Sequence, residues 1–217
     1  HETKIGWKLQ FETYAIGIPA SVTNIMATFA VALTNRYLIV YGADSVAAMG
    51  IAMKANMIIN MVMVGFAFGA QPLIGYVYGA KDEQRFNKVV KFDIQVVASL
   101  ALILTIILFI FAPQVIRIFM NDPQIVKEGA LMLRWLSVST TLAGIILVFT
   151  TMFQSMGKAT PAFWLSFCRQ GLIFGVVISI SAKLFGYTGI IAAQAISDCL
   201  TFILALIFFY CYRPRFK

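Results

Sequence analysis

Charge is scarce in this chain, and the scarcity decides its broad class. Only 12% of the 217 residues are charged, against 60% hydrophobic, and a soluble domain of this size needs more than that to cover the outer faces of its helices. Histidine is nearly absent, the single one being His1. There is no His-Glu-x-x-His helix, no Gly-x-Ser-x-Gly elbow and no close aspartate pair in mid-segment, so the usual signatures of intramembrane or soluble hydrolases are missing. Cys168, Cys199 and Cys211 all fall inside apolar segments without Cys-x-x-Cys spacing, which makes them small buried hydrophobes rather than a disulfide or metal framework. The chain opens His-Glu-Thr-Lys, with neither an initiator Met nor a secretory leader pattern, and is expected to be a piece of something longer.

What the chain has is apolar length. Six segments, at about 11–40, 46–78, 88–118, 127–155, 161–183 and 187–212, are separated by short polar breaks. Each holds at least ~20 residues, enough helix for a hydrocarbon core about 30 Å thick, and the longer ones can tilt. Lipid-exposed backbone must satisfy its own hydrogen bonds, and barrel strands would be about half as long and alternating, so the spans are predicted to be helices. The expected fold is all-α: a polytopic membrane protein forming a single bundle of six transmembrane helices over residues 1–217.

The net charge of +8 raises the question of nucleic acid, and its distribution answers it. With six spans both termini share a side, which carries Lys4, Lys8, Lys81, Arg85, Lys88, Lys91, Lys158, Arg213, Arg215 and Lys217; the opposite breaks carry only Arg117, Lys127 and Lys183. Positive residues accumulate on the cytoplasmic side, so the chain is expected to lie in the cell (inner or plasma) membrane with both termini cytoplasmic, and no nucleic-acid partner is expected.

At 100° per residue the second span has two unlike faces. Met49, Met53, Asn56, Asn60, Met63 and Gln71 fall in one arc; Gly65 and Gly69 lie opposite, on a small-residue surface suited to close helix packing. Lipid gains nothing from two Asn and a Gln, so that arc is expected to look inward, onto a partner helix or a wet cavity. The methionines suit either ordinary core packing or a surface that accepts ligands of several shapes. The first span aligns Thr13, Gly17, Ser21, Asn24, Thr28 and Asn35, with Pro19 expected to bend it; the fourth aligns Arg134, Ser137, Thr141, Gly144 and Ser155. Spans one, two and four thus have the character of cavity walls, whereas the third, with only Ser99 and Thr105 between its ends, has that of a lipid-facing helix. The candidate substrate-cavity residues are Asn24, Thr28, Asn35, Met49, Met53, Asn56, Asn60, Gln71, Ser137 and Thr141. Pro19, Gly69, Pro72 and Gly75 are candidate hinges.

Two charges lie near mid-depth. Arg169 and Asp198 occur at similar depth on consecutive antiparallel spans, and leaving either unpaired costs ~3 kcal/mol, so an ion pair is predicted. It serves either as a structural clamp between spans five and six or in coupling to a proton or cation. Glu12 and Asp93, among lysines near the cytoplasmic interface, read as solvated end charges.

The run Gly65-Phe-Ala-Phe-Gly-Ala-Gln-Pro-Leu-Ile-Gly-Tyr-Val-Tyr-Gly-Ala80, leading into the basic loop 81–91, resembles the segment after the eighth helix of the multidrug and toxic compound extrusion (MATE) antiporters. Val46-Ala-Ala-Met-Gly-Ile-Ala, Asn121-Asp-Pro123, Phe153-Gln-Ser-Met-Gly-Lys158, Arg169-Gln-Gly171 and Ala192-Ala-Gln-Ala-Ile-Ser-Asp198 carry the resemblance through the rest of the chain. It implies the C-terminal half of a twelve-helix, two-lobe transporter, its partner being an N-terminal six-helix bundle absent from this chain. It further implies export of small organic, often cationic, drugs and toxins by alternating access. The drive would be a transported proton or sodium ion as coupling ion, with no other cofactor and no catalysis. Sodium-coupled members carry a Glu where this chain has Ala27 and an Asp where it has Gly144-Ile145, so neither carboxylate transfers. A lipid-linked saccharide flippase of the same superfamily and a non-transporting membrane scaffold are the alternatives.

Overall fold

The computed structural model describes the backbone of residues 7–212, and the side chains of residues 21, 22 and 24–212. Among the described residues every regular element is helical: α1 (Trp7–Leu38), a 3-10 turn (Ile39–Tyr41), α2 (Ala43–Gly79), α3 (Glu83–Phe119), α4 (Pro123–Ser155), α5 (Ala159–Phe167), a π-helical turn (Cys168–Leu172) and α6 (Ile173–Tyr212). The polar breaks seen in the sequence become the turns. Asp82 caps α3 by accepting the Arg85 N–H at 2.9 Å. Asp122 caps α4 by accepting the N–H groups of Gln124 and Ile125 at 2.8 and 3.2 Å, and Pro123 follows it at the first helical position, where a missing N–H costs nothing.

The fifth and sixth apolar segments are two arms of one hairpin. Gly186 adopts φ 57 and ψ −130, which an L side chain rarely tolerates, and the chain reverses there. Three pairings nest around that point. Gly189 lies against the backbone of Ser181, Ser197 Oγ donates to Arg169 O at 3.2 Å, and Lys158 Nζ donates to Tyr212 O at 2.7 Å. Each pair is nearly symmetric about Gly186, as an antiparallel hairpin requires. Counting its arms separately gives six helical rods.

Among the described residues, four helices are long and apolar enough to cross a membrane: Ala43–Gly79, Glu83–Phe119, Pro123–Ser155 and the continuous stretch Ala159–Tyr212 that contains the hairpin. α4 is the hub, packed on α2, α3 and α6. Its central apolar window is 72% buried, against 17% for that of α3, so α3 is a peripheral helix, exposing Leu102, Ile103, Ile106, Ile107 and Ile110. α1 packs on α5, the π-turn and α6 and touches α2 only lightly. α1 comes close at Gly171 in the π-turn, where a Cβ would sit 2.9 Å from Met26 Sδ.

Candidate functional site

The polar rows of α1 and α2 lie at the surface of the bundle. Asn24 and Thr28 are exposed, Asn35 is half-buried, and Thr28 Oγ1 donates back to Asn24 O at 3.2 Å. The side chains of Thr13, Gly17 and Pro19 lie outside the described residues. On α2, Met53, Asn56, Asn60 and Gln71 are half-buried, along the flank of the face that enters the core. Asn56 Oδ1 accepts from Thr140 Oγ1 at 2.9 Å, and Asn60 Nδ2 donates to Asn56 O at 3.0 Å. One polar group of this row is thus spent on holding α2 to α4, while Asn60, Met53 and Gln71 keep part of their surface open.

Three of the ten candidate cavity residues are placed elsewhere. Met49 is fully inside the core. Ser137 is buried, its hydroxyl donating to Leu133 O at 2.7 Å and its carbonyl accepting from Thr105 Oγ1 at 2.8 Å. Thr141 meets the same Thr105 hydroxyl at 3.5 Å. The outer part of the α4 row faces α3, where Arg134 Nε donates to Phe109 O at 3.1 Å with its guanidinium over the Phe109 ring; farther along, a Cβ at Gly144 would meet Met63 of α2 and Val97 of α3. Helical spacing shows that these residues share a face, not which neighbour covers it. Here Thr105, the lone mid-depth hydroxyl of α3 in that contact, supplies the partner. The small-residue surface of α2 is also reassigned, since Gly65 and Gly69 are exposed and no helix of the described chain packs on them. Of the hinge candidates, Pro72 sits exposed inside an uninterrupted α2. Gly75 packs beside Ser155, whose hydroxyl donates to Gln71 O at 3.1 Å.

Arg169 and Asp198 meet inside the bundle. Arg169 Nε donates to Asp198 Oδ1 at 2.8 Å, Nη2 to Oδ2 at 3.5 Å, and Gln194 Nε2 adds a third donor at 3.2 Å. Asp198 is 0% exposed and Arg169 21%. Arg169 lies in the π-turn, where the extra residue per turn directs its side chain across to the other arm. A carboxylate with three donors is satisfied where it stands.

Two acidic residues acquire roles that sequence reasoning did not give them. Asp93 is 5% exposed on α3, not a solvated end charge, and its Oδ2 has no hydrogen-bond partner. The signal was present: Asp93 belongs to the stripe Phe86, Val90, Val97, Ala101, Thr105 that α3 buries. Glu128, near the start of α4, accepts from Ser45 Oγ at 2.7 Å and Tyr187 OH at 2.8 Å, both on Oε2, with Gln124 Nε2 3.5 Å from Oε1. The rings of Tyr41 and Tyr187 meet at a tilt of 59°, with centroids 5.2 Å apart. Apart from Gln124, one turn before Glu128 on α4, no sequence spacing links Glu128 to its donors, Ser45 and Tyr187 being 83 and 59 residues away.

The comparisons with known proteins agree with this geometry. The MatE family model matches residues 19–181. The chain is 28% identical over 204 residues to the multidrug export protein MepA of Staphylococcus saprophyticus, covering 94% of this chain and 45% of that protein, and matches MepA of Staphylococcus aureus strain MSSA476 with the same identity and coverage. The chain therefore spans about half the length of the curated relatives it matches. Among solved structures, a MATE transporter in the straight conformation superposes with TM-score 0.88 at 19% identity, covering 95% of this chain and 47% of that one. An outward-facing multidrug resistance MATE family transporter gives 0.88 at 18%, covering 98% and 48%. At such identities the superpositions speak for the fold.

Proposed function

Because this chain belongs to the MatE family, we propose that it is one six-helix lobe, the C-terminal one, of a multidrug exporter. The observation that carries this reading is the match to multidrug export proteins over nearly the whole chain and only half of theirs. A two-lobe exporter of that length works by alternating access, the lobes rocking about a shared cleft. On this lobe the cleft wall is drawn from the open rows: Asn24, Thr28 and Asn35 on α1, and Met53, Asn60 and Gln71 on α2. Lightly polar, adaptable side chains of this kind accept organic cations of varied outline.

The lobe must move without coming apart, and Arg169–Asp198 serves that need by clamping the two arms of the hairpin at depth. A proton or sodium ion drives the exchange. The protein lies in the plasma membrane with both ends of this segment in the cytoplasm, as the ten-to-three distribution of basic residues favours. Ethidium efflux from energised cells expressing the natively encoded protein tests the reading: faster efflux is expected, slowed by collapsing either the proton or the sodium gradient. Dye retention identical to that of cells without the protein overturns it.

A further inference from the structure

Between α2 and α3 the surface of the bundle opens into a groove of about 680 Å³, walled by Val62, Gly65, Phe66 and Gly69 of α2 and by Phe92 and Asp93 of α3. That volume suits a drug-sized molecule. The α2 wall is open because its small residues leave it so: a Cβ added at Gly65 or Gly69 meets nothing within 4 Å. Asp93 is the sole ionisable residue in the lining. It is 95% removed from solvent by its 5% exposure, and Oδ2 finds no donor. Nothing behind it supplies one, since the α4 side chains clustered with Val90 and Ile94 are Phe149, Met152 and Phe153. Lys88 and Lys91, on its own helix, are exposed.

A lone carboxylate in apolar surroundings is stabilised by a cation brought to it. A metal ion is a poor candidate, because such ions require several oxygen ligands and no group of metal-binding side chains occurs among the described residues. A cation with an apolar body answers every wall at once: charge to Asp93, ring faces to Phe66 and Phe92, flat surface to the glycines. The depth fits as well. Asp93 lies ten residues beyond Glu83, about 15 Å along the helix axis. With α3 centred on a hydrocarbon layer about 30 Å thick, that is just inside its edge, the level favoured by amphipathic groups.

We infer that this groove is a binding site for lipophilic organic monocations, with Asp93 as their counter-charge. It rests on the exporter reading above and gives the cargo a docking place on this lobe, apart from the polar rows of α1 and α2.

The test is equilibrium binding to the natively encoded protein, purified in detergent, of tetraphenylphosphonium and tetraphenylborate, which share a shape and differ in sign. The phosphonium is expected to bind at least about tenfold more tightly than the borate. Asp93→Asn should abolish that preference, Asp93→Glu should keep it, and Gly65→Leu should weaken the cation about tenfold by filling the groove. Thermal unfolding in the same detergent verifies that each variant is folded. A folded Asp93→Asn protein that binds the cation as tightly as the parent overturns the proposal. So does equal binding of both ions, which would assign the groove to lipid tails or to another helix. Absent dye efflux with intact cation selectivity sinks the exporter reading alone; intact efflux with no effect of Asp93→Asn on binding sinks the groove alone.

Discussion

Asp198 and Asp93 are both buried carboxylates on helices of the same bundle, yet their surroundings are opposite. Asp198 receives two nitrogens of Arg169 and one of Gln194, all from side chains of the hairpin itself. Asp93 faces glycine, valine and phenylalanine, and one of its oxygens has no donor. A charge that ends its search for partners within the fold is part of the architecture. One that does not is left with a demand that only something from outside can meet.

That contrast is broken most severely by Asp198→Ala, which strands Arg169 in the bundle and should cost about 4 kcal/mol of stability. Thermal unfolding in detergent reads it, and the double change Arg169→Met, Asp198→Leu should recover most of the loss. A single substitution as harmless as the pair would show that Arg169 has another partner. Next in size is Gly189→Ala. Its new Cβ would collide with the Ser181 backbone in the hairpin, where no side chain can swing aside, and about 2 kcal/mol of destabilisation is expected. Thr140→Val should cost about 1 kcal/mol, by leaving Asn56 Oδ1 without the hydroxyl that ties α2 to α4. The smallest effect belongs to Gly69→Ala on the open wall beside Asp93: within about 0.5 kcal/mol of the parent, because nothing stands within 4 Å of the added methyl. A large loss there would mean that the groove closes in the native membrane.

The fold was legible because the bilayer imposes a length and a composition that any reader of the sequence can count. The breaks read at 79–87 and 119–126 contain Asp82 and Asp122, the caps the structure uses, although α3 and α4 begin at Glu83 and Pro123, ahead of the apolar segments that start at 88 and 127. Depth was legible too, since rise per residue alone sets Arg169 and Asp198 level, and the structure brings them to 2.8 Å. Direction around each helix was harder. Ser137 and Thr141 share a face in any helix, but only the packing shows that α3 covers it, with Thr105 reaching across. Asp93 was obscured by its neighbours: Lys88 and Lys91 mark a membrane edge, and the period that places Asp93 on the buried stripe of α3 is weaker than that local charge pattern. Glu128 was not findable at all, because its donors come from residues 45 and 187.

That last cluster has a mechanical consequence. Through Glu128, a single carboxylate ties the first turn of α2 and the second turn of α4 to the start of the outgoing arm of the hairpin, all at one end of the molecule. Fastened there, α2 behaves as a lever 37 residues long, or about 55 Å. A tilt of roughly 5° about the fastening, made together with α4 to which Asn56 and Gln71 bind it, carries its far end through about 5 Å, more than the width of a methyl group and enough to open or shut a passage for a small molecule. Geometry of this kind turns a slight change at one rim of a bundle into a large one at the other.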